Sequence, residues 1–480
     1  MRMPRQSLTR YFQASSRRNA FQSVMIASRQ SDSHSFATPK DDSRKRTRTY
    51  RRPTLWLIIS TMRNLYQAFF HALDQIAVKI GFEPGHADAD ALLSIALRRA
   101  GRRDFSDRSF LPALQRLLDA YDEEARLSVF GVMAARFDTL RSLHNILRFD
   151  TAEETNPDVV TRAIAEPIFI TGLPRSGTTF MHTLLSLDSA NAVPRTWQLL
   201  YPYPLKRNAR QADIRPRRVE RQLNLFRHLS PGLAGMHQLS ADAPQECTDI
   251  TAQVFQSLRF DTTYRIPSYQ RWLDAQGHHA AYLFHRRFLQ HLDAQFPGKR
   301  WVLKCPDHIF ALDALLSAYP DARILFLHRD PLRVLASVAK LTELLRRPFT
   351  RLIDREEIGR QVSARWADGA DKMAAAATGL RSPRILHMRY SDLISRPMDS
   401  VALLYRRFGL VLSDEARQCM TAYLTKQPRG GYSVHRHSLD EFGLDPVRLR
   451  GRFARYMEIY QISPEGPGWD GALSYSRSAA

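Results

Sequence analysis

"PIFITGLPRSGTTFMHTLLSL", residues 167–187, decides how the rest of the chain is read. Pro167 to Thr171 is a short β-rich run, Gly172 and Gly177 bracket a tight turn, and the apolar residues that follow recur at helical spacing. A glycine-rich strand-to-helix turn gathers backbone N–H groups around an anion and aims a helix N-terminus at it. Ser176, Thr178 and Thr179 can each add a hydroxyl, and Arg175 can fork onto two oxygens. An ordinary tight turn before a helix has no need of two glycines, a proline, an arginine and three hydroxyls in eight residues. In a nucleotide-triphosphate loop, lysine follows the second glycine. Here Thr178 stands there, and the cation lies inside the loop at Arg175. With no recognisable magnesium-binding aspartate after a later strand, this argues against a triphosphate-hydrolysing enzyme.

Outward from that loop, strands alternate with helices. "RWVLKCP", "ARILFLHRD" and "RILHMRYSDL" read as strands, "DHIFALDALLSAYP" and "PLRVLASVAKLTELL" as helices. Further helices are expected around Thr248–Arg259, His279–Phe296 and Met398–Phe408. The fold class is therefore α/β, a P-loop-like parallel sheet flanked by helices. Upstream, from about Asn64 to Asp150, the pattern is helical throughout. "FLPALQRLLDAY" puts Leu111, Leu114, Leu118 and Tyr121 on one face, and "HADADALLSIALRRAG" closes on Gly101, a plausible helix end. This part reads as an N-terminal helical lobe. The expected organisation is a disordered basic extension (1–53), a helical lobe (54–160) and the α/β domain (161–480).

A chain of 480 residues with 44% hydrophobic content can bury a sizeable core. Of its net charge of +22, about ten fall within residues 1–52. That Arg- and Ser-rich segment cannot bury enough apolar surface to order itself. Three readings stay open for it: a dispensable extension with Met62 as the real start, a targeting segment, or a polyanion-binding tail. "TLWLIIS" (54–60) is far too short to span a bilayer, although it could lie on one, so peripheral membrane association stays open. The three cysteines, Cys247, Cys305 and Cys419, have neither disulfide-framework nor metal-ligand spacing, which fits a reducing compartment and a cytoplasmic location.

"FITGLPRSGTTFMHTLL" closely resembles the 5′-phosphosulfate loop of sulfotransferases that use 3′-phosphoadenosine 5′-phosphosulfate (PAPS). The "PRSGTT" form is typical of bacterial sulfotransferases and protein-tyrosine sulfotransferases. The family's second motif holds the donor's 3′-phosphate from a strand end and the helix after it, and "RILFLHRDPLRVLASVAKL" matches with Arg329 and, two turns into the helix, Ser337. An arginine and a hydroxyl at a second, separate phosphate suit a nucleotide with phosphates at both ends of its ribose. The resemblance runs from about Asn64 to Phe453, with specific motifs only in short stretches. It implies donor binding by Gly172, Arg175, Ser176, Gly177, Thr178, Thr179, Arg329 and Ser337. In "WVLKCPDH" it places Lys304 where the family lysine contacts the transferring group. Lys304 and Arg175 would stabilise charge on the leaving oxygen, and no metal is implied because PAPS carries a good leaving group.

The resemblance also offers a base. "SADAPQECTDI" resembles an acidic segment beside the acceptor pocket, making Glu246 the first candidate, with a helix-capping carboxylate as the alternative. His435 or His437, in "GGYSVHRHSLDEFGLD", is the other; that segment resembles a C-terminal loop near the nucleotide, where His435 could contact the donor. "PRTWQLLYPYP" departs from the family pattern, with Gln198 where an acid is expected. Asp307 and His308 read as a cap and a helix start. His278, His279, His285 and His291 lack paired acidic or cysteine partners at ligand spacing. The arginines from Arg215 to Arg227 read as a solvated helix face, or as a basic lid. Trp197, Tyr201, Tyr203, Tyr264 and Trp272 are core residues or the lining of an acceptor pocket.

The expected function is sulfuryl transfer from PAPS to a hydroxyl or amine of a small-molecule, lipid, carbohydrate or peptide acceptor. Nucleic acid is not an expected partner. The competing readings are an ATP-dependent P-loop phosphotransferase, a basic non-catalytic binding protein, and an inactive relative disabled at Gln198.

Overall fold

β1 (Ile168–Gly172) runs through the middle of a five-stranded parallel sheet. Its neighbours are β3 (Arg300–Lys304) and β4 (Arg323–His328), with β2 (Asn191–Ala192) and β5 (Ile385–Arg389) at the edges, in the order β2-β3-β1-β4-β5. The structure is a computed structural model that describes residues 68–70, 72–76, 79, 88–204, 213–230, 232–233, 240–379, 382–426 and 438–465. All of these lie in one compact unit, Ile58–Ala480. The basic segment 1–53, "TLWLIIS", His435 and His437 lie outside the described residues.

Every residue of β1 is buried, as befits a central strand covered on both faces. Side chains alternate between two hydrophobic clusters, following the period-2 geometry of a strand. Phe169, Leu303 and Phe326 join one cluster, while Ile168, Ile170, Val302, Leu325 and Leu327 join the other. Helices Thr178–Leu185, Pro397–Arg407 and Asp414–Lys426 supply the second layer through Met181, Leu184, Val401, Leu404 and Met420.

The first layer includes the N-terminal helices Ala89–Ala100, Leu111–Glu123 and Val129–Thr155. Gly101 ends the first of them at φ 67°, its N–H reaching the Arg98 carbonyl. Leu114, Leu118 and Tyr121 are buried at the spacing read from the sequence, and Leu117 joins them. Leu114 and Phe149 share the cluster of Phe169 and Phe326, so these helices and the sheet bury apolar surface together. Among the described residues no helix is long and apolar enough to cross a membrane.

Two local readings differ from the sequence. The single helix expected around Thr248–Arg259 is broken into Thr248–Thr251, a 3-10 turn at Ala252–Val254, and Arg259–Thr263. Phe255 turns left-handed at φ 59°, and Tyr269 holds the break by donating its hydroxyl to the Phe255 carbonyl at 2.7 Å. The segment after β3 is likewise a 3-10 turn, Pro306–Phe310, before the helix Leu312–Ala318.

Gly172 fixes the end of β1. Its φ is 133°, and a Cβ there would lie 2.1 Å from the Leu327 carbonyl oxygen of β4. Gly172→Ala is expected to cost about 3 kcal/mol, because backbone must move to admit the methyl. Gly101→Ala, where nothing lies within 4 Å of the added carbon, should cost only about 1 kcal/mol from the left-handed backbone. Urea unfolding of both variants checks the contrast.

Candidate active site

The loop after β1 is held in shape by its backbone. Arg175 and Gly177 both take positive φ, 63° and 89°. At Gly177 a Cβ would lie 3.0 Å from Leu393 and 3.1 Å from Tyr390, so the short helix Tyr390–Ser395 after β5 packs directly on it. Ser176 is fully buried and donates its hydroxyl to the Leu173 carbonyl at 2.5 Å, bracing the loop from inside. Thr178 is buried at the start of helix Thr178–Leu185, whereas Thr179 is exposed. Burial, reinforced by the neighbouring Arg329, holds the Arg175 guanidinium below its ordinary pKa. Two cations thus crowd one place, an arrangement that an anion would relieve.

Lys304, at the carboxyl end of β3, is only 1% exposed. Its ammonium donates to the Glu246 carboxylate and, at 3.3 Å, to the Thr179 hydroxyl. The two chain segments are tied by backbone as well, since the Cys247 N–H donates to the Lys304 carbonyl at 3.1 Å. A buried ammonium needs a partner carboxylate to offset its lost hydration. His182 lies beneath the pair, its Nε2 3.1 Å from the Val302 carbonyl oxygen. Burial and then Lys304 push its pKa down to about 3, which keeps the ring neutral.

Asp307 does not cap the helix that follows, contrary to its reading in the sequence. It lies inside the 3-10 turn, and the capping group is the Cys305 sulfur, which accepts the Asp307 N–H at 3.4 Å. Asp307 lines a small cavity with Cys247, Tyr282, Cys305 and His308. Burial and then the Glu246 carboxylate raise its pKa to about 7.

On the other side of β1, Arg329 follows β4 directly. Its guanidinium stacks on Tyr390 with 4.0 Å to the ring centroid, and Nη1 donates to the Arg175 carbonyl at 2.8 Å. The remaining edge forks onto Glu465, with Nε and Nη2 donating at 2.9 and 2.8 Å. Burial lowers the Arg329 pKa, but the Glu465 bond and charge outweigh it and leave the group above its ordinary value. Asp330 caps the helix Pro331–Arg346, accepting the Leu332 N–H at 3.0 Å. Ser337 lies half-buried on that helix, one turn beyond Arg333 on the same face.

The structure therefore brings Thr179, Lys304 and Glu246 together, and joins Arg175 to Arg329. Tyr390, Arg333, Asp307 and Glu465 were not singled out as chemical residues in the sequence. Of these only Arg333 left a signal, its four-residue spacing from Ser337.

Other candidates have structural partners. Gln198 is buried and its side-chain oxygen accepts the Arg195 N–H at 2.8 Å, closing a capping box. Arg215 is buried, bonded to the Tyr201 and Pro202 carbonyls and stacked 4.5 Å from the Trp197 ring, so that end of the arginine run is neither solvated nor a lid. Trp197 and Tyr201 share one cluster, while Tyr264 belongs to the main core. His285 bonds the Tyr319 hydroxyl, and His291 bonds Glu153 at 2.8 Å and the Tyr203 hydroxyl.

Two stability measurements test this geometry. Between its ordinary value of 3.8 and about 7, Asp307 binds its proton in the folded state but not in the unfolded one. The wild type should therefore lose stability as pH rises through that window, and Asp307→Asn should flatten the slope in denaturant titrations at pH 4 to 7.5. Glu246→Ala leaves the buried Lys304 ammonium without its carboxylate and should cost about 3 kcal/mol, with Glu246→Gln costing less because its amide oxygen still accepts. Thermal melts at fixed pH compare the two.

A family model described as "Sulfotransferase family" matches residues 167–414. The crystal structure of sulfotransferase STF1 from Mycobacterium tuberculosis H37Rv is similar with a TM-score of 0.68 and 34% identity, over 78% of this chain and 100% of that one. That of sulfotransferase STF9 from Mycobacterium avium is similar with a TM-score of 0.71 and 27% identity, over 79% and 98%. A curated relative, the omega-hydroxy-beta-dihydromenaquinone-9 sulfotransferase Stf3 of Mycobacterium bovis, is 25% identical over 323 residues, or 61% of this chain and 80% of that protein. The family match spans more than half of the chain and covers both the β1 loop and the Arg329 segment, and the chain belongs to the sulfotransferase family.

Proposed function

We propose that the chain transfers a sulfuryl group from PAPS to an acceptor hydroxyl, releasing adenosine 3′,5′-bisphosphate. The observation that carries this reading is the Lys304 ammonium held between the Glu246 carboxylate and the Thr179 hydroxyl. A cation, a carboxylate and a loop hydroxyl meeting at the mouth of an anion cradle are what an in-line sulfuryl transfer requires. The cradle fits the 5′-phosphosulfate: Gly172 stands where a Cβ would collide with backbone, Gly177 where one would be crowded by side chains, and Arg175 takes left-handed backbone beside them. Arg329, with Ser337 on the following helix, fits a second phosphate one strand away.

In the reaction the acceptor oxygen attacks sulfur while the bond from sulfur to the bridging phosphate oxygen breaks. Negative charge builds on that leaving oxygen, where Lys304 and Arg175 stabilise it. The acceptor proton passes to Glu246, which Lys304 releases as it turns to the leaving oxygen. Asp307, lining the cavity behind them, is better placed to tune Glu246 through its charge than to reach the sulfur.

The mycobacterial relative named for a hydroxylated menaquinone supports apolar alcohols as the first acceptors to screen. An ATP-dependent phosphotransferase would need an acidic magnesium ligand at the loop. The carboxylate that Lys304 links to the loop hydroxyl of Thr179 is Glu246, and it is engaged by Lys304.

Calorimetric titration with adenosine 3′,5′-bisphosphate, beside ATP with magnesium, tests the donor. Selective binding of the bisphosphate, weakened at least about tenfold in Arg329→Ala, is the expected outcome; preference for ATP with magnesium would overturn the reading. Lys304→Ala should lower turnover by about 10²–10³-fold with little change in bisphosphate affinity. Full activity in Glu246→Gln would remove Glu246 as the base while leaving the donor reading intact.

A further inference from the structure

We propose that Glu465 is a built-in competitor for the donor's 3′-phosphate, a carboxylate that occupies the Arg329 fork until the nucleotide displaces it. The inference rests on the donor reading of Arg329 given above. Three observations carry it.

The first is the fit of the carboxylate itself. Both of its oxygens are engaged, Oε1 by Nε and Oε2 by Nη2 of Arg329, at 2.9 and 2.8 Å. A phosphate would use this same bidentate edge. The pair is well shielded, with side chains 21% and 11% exposed, so it is no loose surface ion pair.

The second is how Glu465 is held. Its N–H donates to the Asp330 carboxylate at 2.8 Å, and its carbonyl accepts from Arg333 Nε at 3.3 Å. Asp330 is the cap of helix Pro331–Arg346, and Arg333 lies in its first turn. The residue is therefore seated across the start of the helix that follows β4, where strand end and helix N-terminus meet.

The third is the tether. Glu465 follows the helix Pro446–Ile459 by a few residues, and Ile462 between them packs against the core and bonds the Met457 carbonyl at 2.8 Å. An acid on so short an anchored lead has a high effective concentration at Arg329.

Two anions cannot share one guanidinium edge. A 3′-phosphate can bind only in the fraction of molecules whose Glu465 has swung away, and the apparent dissociation constant rises by the inverse of that fraction. The same holds for the product, adenosine 3′,5′-bisphosphate, so the returning carboxylate helps to expel it. Nucleotides without a 3′-phosphate leave the fork alone and are unaffected.

The test is calorimetric titration of wild type, Glu465→Gln and Arg329→Ala with adenosine 3′,5′-bisphosphate and with adenosine 5′-phosphate. Glu465→Gln should bind the bisphosphate about tenfold more tightly than wild type, with its affinity for the 5′-phosphate unchanged. Arg329→Ala should bind the bisphosphate more weakly than either. If the bisphosphate binds wild type but Glu465→Gln binds it equally or less well, Glu465 merely orients Arg329 and the competitor is overturned while the donor reading stands. A gain shared equally by both nucleotides also overturns it, because the effect would then not lie at the 3′-phosphate. Failure of all three proteins to bind the bisphosphate overturns both readings.

Discussion

Five parallel strands share one direction, so all their carboxyl ends fall on one edge of the sheet, and β1 stands there with β3 on one side and β4 on the other. Everything at the site follows from that order. The chain leaves β1 toward β2 and β3, then later crosses to β4, which makes the end of β1 the point where connections diverge and a crevice opens. Lys304 from β3, the glycine loop from β1 and Arg329 from β4 are far apart in sequence yet become neighbours through two strand pairings. Loss of either pairing would separate the motifs even with every residue in place.

The site concentrates cations, and the fold stabilises them with its own carboxylates. Lys304 is paired with Glu246 and Arg329 with Glu465, while burial and then the neighbouring Arg329 lower the pKa of Arg175. On the proposed function these acids would do more than neutralise charge. Glu246 holds Lys304 in place, and in the proposed transfer it would take the acceptor proton once the lysine turns to the leaving oxygen. In the proposed donor complex, the Glu465 carboxylate would be the group that a 3′-phosphate replaces on Arg329. Substrate anions would in both cases replace a protein anion instead of entering an empty field, which keeps the buried charges satisfied at each stage.

The sequence displayed the parts of this arrangement that depend on local pattern. The β1 loop, four of the five strands and the helices around them follow from residue type and spacing, and the period-2 alternation later sorted β1, β3 and β4 residues between two clusters. β2 was illegible because two residues carry no periodicity; it exists through pairing with β3 and the Arg300 guanidinium on Asn191. The break at Phe255 was illegible because Tyr269, which holds it, lies beyond the segment it shapes. Glu465 could not be associated with Arg329 across 136 positions by any pattern rule. Gln198 taught the opposite lesson, since a departure that looked chemical serves a capping box.

The absent loop lysine can now be understood through the sheet. A lysine in a glycine-rich turn takes its position from the turn, which here is left-handed at 175 and 177 and packs on the 390–395 segment at Gly177. Lys304 takes its position from a ladder: it pairs with Ile170 in register, and the next N–H, that of Cys305, donates to the Ile170 carbonyl at 3.1 Å. The cation is thereby placed by two strands of the core and pinned again by the Cys247 N–H. Its long side chain reaches forward to Thr179 and Glu246 from a fixed base. On the proposed function, moving the ammonium from loop to strand would separate two tasks, leaving the loop to surround an anion with N–H groups while the sheet holds the charge that meets the leaving oxygen.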